Sequence, residues 1–228
     1  MDKKAVVLLS GGIDSTTCLA DAVQTYGADK VLALSMYYGQ KHQKEIESAQ
    51  AVAKHYGVDH IIQEISGAFD LSDCTLLQGR AEVAHESYAQ QLKDMGGGTV
   101  ATYVPFRNGL FLSYAAAIAS SVHAGTVYYG AHADDAAGRA YPDCTPEFEE
   151  AMDRAIYEGS GRLVRLYAPL LNWNKAQVVK YGLELKAPYH LTWSCYEGGD
   201  TPCGKCGTCI DRAKAFEANG VSDPAMEV

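Results

Sequence analysis

The segment Ser10-Gly11-Gly12-Ile13-Asp14-Ser15-Thr16 combines hydroxyl groups, two glycines and one carboxylate. It follows a short apolar run, residues 5–9, which is typical of a buried strand, and it precedes apolar residues at helical spacing. A glycine turn between a strand and a helix leaves backbone N–H groups free, and the helix dipole favours negative charge there. We therefore predict that residues 10–16 bind phosphate.

The spacing of this loop excludes the usual P-loop, in which two glycines are separated by four residues and followed by lysine. The run SGGIDS resembles instead the PP-loop of the ATP pyrophosphatase family. That resemblance implies that ATP activates a carbonyl or carboxyl oxygen as an adenylate and that pyrophosphate leaves. From the residues alone, a glycine turn that merely caps a helix stays open. Asp14 can cap the helix or orient Mg²⁺.

Four cysteines near the C-terminus have the spacing of a metal site. Cys195, Cys203, Cys206 and Cys209 follow the pattern Cys-x7-Cys-x2-Cys-x2-Cys. Four thiolates complete a closed tetrahedral zinc site, and binding of the metal is coupled to local folding. An iron–sulfur cluster and a redox pair are the alternatives, but Ile210 follows Cys209 where the bacterial ferredoxin pattern continues differently. We predict one structural Zn²⁺ per chain.

Strand and helix patterns alternate along the chain, which predicts an α/β fold with a parallel sheet and helices on both faces. The predicted strands are residues 5–9, 31–37, 58–65, 126–129 and 163–167. The predicted helices are residues 42–55, 108–124, 146–158, 174–181 and 207–219, with a further possible helix near 82–93 and a flexible point at Gly96, Gly97 and Gly98. The phosphate-binding loop then lies at the carboxyl end of a strand, where open α/β sheets bind ligands.

We predict three parts of the chain. Residues 1–187 form a Rossmann-like adenylation domain, residues 188–220 form a four-cysteine module packed on it, and residues 221–228 form a loose tail. The formal charge of −9 disfavours broad contact with nucleic-acid phosphates, so no direct tRNA binding is expected. No apolar stretch is long enough to span a bilayer, and the N-terminal apolar run is too short for a signal peptide. These features predict a cytoplasmic protein that does not bind membranes.

Four internal stretches carry a more specific resemblance. They are VPFRNG at residues 104–109, YPDC at 141–144, APL with WNKA at 168–176, and WSCY at 193–196. Together with the glycine loop and the cysteines, they resemble the 7-cyano-7-deazaguanine synthases of queuosine biosynthesis over essentially the whole chain. The resemblance implies that ATP with Mg²⁺ adenylates 7-carboxy-7-deazaguanine and that ammonia displaces AMP to give an amide. A second ATP then activates the amide, loss of AMP gives the nitrile, and the family implies a homodimer.

Two cations are the first candidates for this chemistry. Lys175 begins a predicted helix and can stabilise the charge that develops as pyrophosphate leaves. A lysine in the first helical turn is unfavourable for the helix dipole, which favours a function over a solvated side chain. Arg107 can clamp a carboxylate or phosphate with two parallel hydrogen bonds, and its alternative is a surface ion pair.

Several polar residues are candidates for substrate contact. A guanine-like ring presents two adjacent N–H donors, which one carboxylate can accept. Asp135 or Asp143 can do this or bind Mg²⁺, and Asp134 is a further candidate. Each of these aspartates can instead be a turn former. Asn108 can cap the following helix and also contact substrate, and Tyr141 can stack on a ring.

The chain departs from the family pattern at two places. Phe106 stands where glycine is frequent, and Arg139 and Ala140 separate Gly138 from Tyr141. Both changes lie in expected substrate loops. The competing interpretations are a PP-loop enzyme that modifies tRNA directly, a silent module that binds nucleotide and zinc, and a paralogue that joins the activated acid to another amine.

Overall fold

The computed structural model describes residues 2–80 and 99–226. Five strands form one sheet in the order β3-β2-β1-β4-β5, and every neighbouring pair is parallel. The strands are β1 (Ala5–Leu8), β2 (Val31–Tyr37), β3 (Asp59–Glu64), β4 (Thr126–Tyr128) and β5 (Arg165–Tyr167). The predicted α/β class with a parallel sheet is confirmed.

The helices of the described residues are α1 (Ile13–Tyr26), α2 (Lys44–Tyr56), α3 (Arg107–Ser121), α4 (Ala133–Ala136), α5 (Pro146–Gly159), α6 (Lys175–Glu184) and α7 (Gly207–Ala218). Short 3-10 turns occur at Ala28–Lys30, Ser66–Phe69, Ala137–Arg139, Pro142–Cys144 and Tyr189–Leu191. Apart from the four-residue α4, each of these helices was predicted from the sequence. The predicted helix near 82–93 and the predicted flexible point at Gly96–Gly98 lie outside the described residues.

The apolar residues of β1 divide between two cores, because successive side chains of a strand point to opposite faces. Ala5 and Val7 pack with buried residues of α1, α2, α6 and α7. Val6 packs on the other face with Leu112 of α3 and Ile156 of α5. Burial on both faces explains why this strand is a continuous apolar run rather than an alternating one.

The order of the strands reverses at β1. The chain proceeds from β1 to β2 and β3 on one side and continues with β4 and β5 on the other. A crevice opens at such a switch point outside the carboxyl ends of the strands, and it is the usual ligand site of open α/β sheets. Residues 9–12 leave β1 at this point, so the topology places the predicted phosphate loop in the crevice.

The C-terminal part packs directly on the sheet domain. Ala215 and Phe216 of α7 are buried in the same core as β1. The N–H of Trp193 donates a hydrogen bond of 2.9 Å to the carbonyl of Gly11. Asp223, in the segment predicted as a tail, accepts hydrogen bonds of 2.6 and 2.8 Å from the buried Arg212 guanidinium. The predicted boundaries at 187/188 and 220/221 stay predictions.

Within residues 2–80 and 99–226, no helix combines the length and apolar character needed to cross a bilayer.

Candidate active site

A cleft of about 700 Å³ lies at the carboxyl ends of β1, β2 and β4. The predicted residues that line it are Ser10, Gly12, Ile13, Asp14, Ser15, Arg107, Asn108, Asp134, Asp135, Tyr141 and Lys175. Gly11, Thr16 and Asp143 lie behind its wall. The topology therefore brings residues from both halves of the chain to one cavity.

The glycine loop is seated on the first turns of α2. Gly11 has φ +84°, and a Cβ there would come within 2.4 Å of the carbonyl oxygen of Glu45 and 2.6 Å of the nitrogen of Ala49. Only glycine satisfies both the backbone angle and this close approach. The hydroxyls of Ser10 and Ser15 lie 3.0 Å apart, and Ser15 Oγ accepts the N–H of Ser10 at 3.1 Å. The loop is thus preformed.

The loop leads into the open N-terminus of α1. Gly12 is the residue that precedes the helix, so no side chain caps the first N–H groups. These groups border the cleft and, with the dipole of the 14-residue helix, favour an anion. Thr16 is fully buried one turn into α1, and its hydroxyl has no hydrogen-bond partner among the described residues.

An ion-pair cluster occupies this end of the cleft. Lys175 Nζ lies 2.7 and 2.5 Å from the two carboxylate oxygens of Asp14. His132 Nε2 lies 3.4 Å from Lys175 Nζ, 3.7 Å from Asp14 Oδ2 and 3.3 Å from Asp135 Oδ2. Burial acts to raise the pKa of Asp14, but Lys175 and His132 outweigh it and hold this pKa below its usual value. Asp14 is therefore a carboxylate at neutral pH.

The start of α6 fixes the position of Lys175. Asn174 caps the helix: its side chain accepts the N–H of Gln177, and the Gln177 side chain accepts the N–H of Asn174, both at 2.9 Å. This reciprocal arrangement is a capping box, and the Asn-x-x-Gln spacing is its sequence signature. Asp134 Oδ2 accepts the N–H of Lys175 at 2.7 Å, which ties α6 to the loop after β4.

Arg107 lies at the other end of the cleft. Its guanidinium donates a 2.9 Å hydrogen bond to the hydroxyl of Tyr38 and lies over the rings of Tyr38 and Phe111, at 5.2 and 6.0 Å from their centroids. No carboxylate of the described residues lies within 4.0 Å of it. Stacking thus orients the guanidinium and leaves donors available.

Asp143 supports the wall of the cleft from behind. Its Oδ2 accepts the N–H of Asn108 at 2.9 Å, at the first turn of α3. Asn108 Nδ2 lies 3.4 Å from the Cys144 sulfur. Burial raises the pKa of Asp143, although the N–H of Asn108 and the charge of Arg107 act to lower it. Asp143 therefore orients Asn108.

Tyr141 lines the cleft with most of its side chain buried. Its hydroxyl lies 2.6 Å from the hydroxyl of Thr102, and its ring makes an edge contact with Tyr103. These two contacts hold the ring against Thr102 and Tyr103. Arg139 and Ala140, which precede it, differ in environment, since Arg139 is exposed with φ +61° and Ala140 is buried.

Phe106 adopts a backbone conformation that glycine tolerates better than other residues. Its φ is +55° and its ψ +24°, in the left-handed region that disfavours residues with a Cβ. A hydrogen bond of 2.9 Å from its N–H to the Tyr103 hydroxyl and an edge contact with the ring of Phe148 hold this conformation. The side chain is 59% exposed.

Glu45 is a cleft residue that the sequence reasoning missed. It lies in the first turn of α2 and lines the cavity near Arg107. Burial raises the pKa of its carboxyl, and the charge of Arg107 lowers it to a smaller extent. Its signal in the sequence was weak: a glutamate just after a helix start at the carboxyl end of a strand. Acidic residues at such positions are ordinary helix formers.

The four predicted metal ligands come together. The sulfur atoms of Cys195, Cys203, Cys206 and Cys209 all lie within 4.8 Å of one another. A tetrahedral zinc with bonds of about 2.3 Å requires sulfurs roughly 3.8 Å apart, so this set fits such an ion. Hydrogen bonds with the neighbouring Cys195 and Cys209 thiols hold the pKa of Cys206 well below its usual value. Backbone N–H groups also donate to the sulfurs of Cys195 and Cys203.

The cysteine cluster is joined to the cleft through α2. A Cβ at Gly198, where φ is +65°, would come within 2.4 Å of the His42 ring. The ammonium of Lys44 lies 5.7 Å from the ring centroid of Trp193, and Trp193 in turn bonds to Gly11. Side chains of α7 also line the cleft, so the cysteine segment contacts both the glycine loop and the cavity.

Comparisons with known proteins agree with this geometry. The family model described as "Queuosine biosynthesis protein QueC" matches residues 4–220. A 7-cyano-7-deazaguanine synthase of Archaeoglobus fulgidus is 46% identical, over 98% of this chain and 90% of its own. One of Oceanobacillus iheyensis is 40% identical, over 97% of each chain. The solved structure of NMN synthetase from Francisella tularensis shares the fold, with TM-score 0.52, 20% identity and coverage of 99% of this chain and 82% of that one.

Proposed function

This chain belongs to the family of the queuosine biosynthesis protein QueC, and from that premise we propose that it is an ATP-dependent 7-cyano-7-deazaguanine synthase. The observation that carries the proposal is the shared cleft. It combines an open helix N-terminus and Lys175, which suit phosphate, with Arg107, which suits a second anion. Such a cavity holds a nucleotide and an acid side by side.

The proposed reaction proceeds in two adenylations. The substrate carboxylate attacks the α-phosphorus of ATP and pyrophosphate leaves. Ammonia attacks the acyl carbon of the adenylate, and AMP leaves with loss of a proton to give the amide. The amide oxygen attacks the α-phosphorus of a second ATP, pyrophosphate leaves again, and loss of AMP and of both protons on the amide nitrogen gives the nitrile.

Residues 10–16 and the first turn of α1 bind the phosphates of ATP in this proposal. Lys175 stabilises the negative charge that develops on the α-phosphate and pyrophosphate, because its ammonium lies at the same end of the cleft. To do so it exchanges Asp14 for a phosphate oxygen. Asp14 and Asp135 then offer carboxylate oxygens that suit Mg²⁺, which would neutralise phosphate charge when bound.

Arg107 binds the carboxylate of the acid in this proposal. Its planar fork matches a carboxylate, and its stacking on Tyr38 reduces the conformational entropy that binding costs. Asn108 and Tyr141 contact the substrate from the neighbouring wall, and Asp134 does so near Lys175. Asp143 acts through Asn108 as a positioning residue.

The metal held by the four cysteines is zinc in this proposal. Cys195, Cys203, Cys206 and Cys209 would fill all four positions, so the ion supplies folding energy and no activated water. The reducing cytoplasm, where such thiolates persist, is the proposed compartment. The same proposal includes a homodimer without direct contact to tRNA, and the net charge of −9 supports the latter.

Mass spectrometry of products tests this proposal. Zinc-loaded protein is incubated with Mg-ATP, ammonium and 7-carboxy-7-deazaguanine, and the nucleotides are followed in parallel. We expect the nitrile with two AMP released per nitrile. Absence of nitrile, with AMP formed only when tRNA or another amine is supplied, would overturn the assignment and favour one of the competing PP-loop activities.

A further inference from the structure

Two opposite charges lie at one end of the cleft without touching. Glu45 lines the wall on α2, and Arg107 lines it on α3. Neither forms an ion pair within 4.0 Å with any described residue, and no hydrogen bond to the Glu45 carboxylate occurs among these residues. Both residues are half-buried, and a carboxylate and a guanidinium that line one cleft without pairing leave room between them for a ligand with donors for Glu45 and acceptors for Arg107.

The other carboxylates of the cleft already have a partner or lie at its phosphate end, which is the end that contains Asp14 and Lys175. Asp14 pairs with Lys175, Asp134 accepts the N–H of Lys175, and Asp135 pairs with His132. Asp211 on α7 has Lys214 and Lys175 as its nearest opposite charges. Glu45 is thus the carboxylate of the wall whose pKa is raised by burial and lowered, to a smaller extent, by the charge of Arg107.

The backbone of Glu45 and the side chain of Arg107 are held by fixed parts of the structure. The carbonyl of Glu45 abuts Gly11, so the first turn of α2 keeps its place relative to the phosphate loop. The Tyr38 hydroxyl holds Arg107, and Tyr38 is itself fixed because its N–H donates to Gln40 Oε1 at 2.8 Å. The start of α2 and the Arg107 guanidinium therefore keep fixed places in the wall of the cleft.

Apolar side chains flank the gap. Met36, Leu76 and Phe111 line this part of the cleft. Apolar walls with an acceptor on one side and a donor fork on the other suit a flat heterocycle with a polar edge. Burial also raises the pKa of Glu45, as is expected of a carboxyl that awaits donors from a ligand.

We propose that Glu45 and Arg107 together recognise the polar edge of a 2-amino-4-oxopyrimidine ring fused to the substrate. Glu45 accepts the ring N–H and the exocyclic amino N–H, which are adjacent donors. Arg107 donates to the neighbouring ring carbonyl and to the carboxylate, which lie on the same side of 7-carboxy-7-deazaguanine. This inference rests on the proposed function and adds the residue that selects the ring.

The arrangement predicts a specific discrimination. A ring without the exocyclic amino group leaves one lone pair of the Glu45 carboxylate without a donor. Hydrogen bonds to charged groups are strong, and a site built to make one rejects an analogue that lacks it. We expect the analogue without this amino group to lose about 10- to 100-fold in kcat/KM with the wild-type protein.

The test compares Glu45→Gln with Glu47→Gln in the holoprotein. Glu47 lies on the same helix but is exposed and faces only Lys44, at 4.0 Å. We expect Glu45→Gln to raise KM for the acid about 10- to 100-fold and to leave KM for ATP within about twofold. Glu47→Gln should leave both unchanged. With Glu45→Gln, removal of the amino group from the substrate should cost less than about threefold, because the interaction is already lost.

The proposal is overturned if the two variants have equal KM for the acid, or if the analogue is penalised equally in wild type and Glu45→Gln. Should Glu45→Gln not fold, the wild-type protein decides alone, since an analogue that loses less than about threefold contradicts the hydrogen bond to the amino group. Failure of the proposed function is distinguishable, because the wild-type protein would then form no nitrile from the normal acid. The ring assignment would fall with it.

Discussion

The two ends of the cleft differ in whether their charged side chains form an ion pair. At the phosphate end, Asp14 and Lys175 neutralise each other at 2.5 Å, and His132 joins them. At the ring end, Glu45 and Arg107 remain apart. A ligand at the first end must therefore displace an existing ion pair, whereas a ligand at the second supplies the missing partners.

The same contrast governs the two carboxyl groups. Burial acts to raise the pKa of both Asp14 and Glu45, but contact with Lys175 reverses the direction at Asp14 only. Direct contact, rather than depth in the protein, thus decides the direction. The phosphate end is stable without ligand, and the ring end is stabilised by ligand.

Loss of the metal should damage both ends at once and have the largest effect. Cys206→Ser or strong chelation would remove the proposed zinc from the cysteine cluster, whose segment contacts His42 and, through Trp193, Gly11. We expect loss of bound zinc, a lower melting temperature and loss of binding of both ATP and acid. Cys74→Ala, outside the cluster, should keep one zinc per chain by metal analysis. Retention of both binding activities without metal would separate the cluster from the cleft.

Removal of the Lys175 ammonium at the phosphate end should have the second-largest effect. Lys175→Met is expected to lower kcat about 100- to 1,000-fold, because one preorganised donor to developing charge is worth this much. Lys180→Met is the matched control on the same helix, where the side chain is exposed. Steady-state release of AMP measures both. A decrease below about fivefold would place the critical charge elsewhere.

Replacement of the cation at the ring end should act on substrate affinity. Arg107→Lys keeps the charge but loses the planar fork and its stacking on Tyr38, so we expect KM for the acid to rise about tenfold with KM for ATP unchanged. Arg162→Lys, in an exposed pair with Glu158, serves as the control. Equal changes in both KM values would show that the two ends are not separate.

The two carboxyl groups should have opposite effects on stability. The folded pKa of Asp14 is lowered, so its stabilisation is complete above the unfolded value of about 3.9 and is lost as pH falls through the folded pKa. The folded pKa of Glu45 is raised, so it destabilises at neutral pH and ceases to do so below about pH 4.3.

At pH 7 we therefore expect Asp14→Asn to lower the free energy of unfolding by about 1 kcal/mol and Glu45→Gln to raise it by a similar amount. Urea unfolding between pH 3 and 8 measures both, and both differences should shrink in acid. The same sign for the two variants at pH 7 would contradict the contrast between the ends.

The smallest effect is expected at Phe106, outside both ends. Phe106→Gly relieves a left-handed backbone conformation but loses the edge contact with Phe148. The two contributions oppose each other at about 1 kcal/mol each, so the free energy of unfolding should change by less than about 1 kcal/mol. Catalytic constants should be unaffected. A large change in KM for the acid would place this ring on the substrate.

Local patterns were sufficient to predict the sheet, the glycine loop and the cysteine cluster. Apolar runs, capping residues and short-range spacing are properties of neighbouring residues, and they determine strands, helix starts and convergent thiolates without reference to the rest of the chain. The four-residue α4 is too short to have a helical period, which explains why it was not predicted.

The roles of carboxylates could not be predicted in the same way. Asp143 follows a loop as Asp135 does, yet it faces the backbone of Asn108, 35 residues earlier in the chain. Glu45 has the sequence context of an ordinary first-turn acid. Only the fold brings it to the same cleft as Arg107, because α2 and α3 lie on opposite faces of the sheet and both begin beside the cleft. A carboxylate that positions another residue differs from one that binds ligand in the partner that the fold brings to it, and the residue type does not reveal that partner.

The hydrogen bond between Trp193 and Gly11 has a consequence for the order of biosynthesis. The glycine loop leaves the ribosome before residue 193 does, and until then the carbonyl of Gly11 lacks this partner. The nascent chain thus carries an incomplete loop while the residues between Gly11 and Trp193 are made, because the contact that completes the loop has a long sequence separation. Premature termination before this point should release a protein without a working nucleotide site.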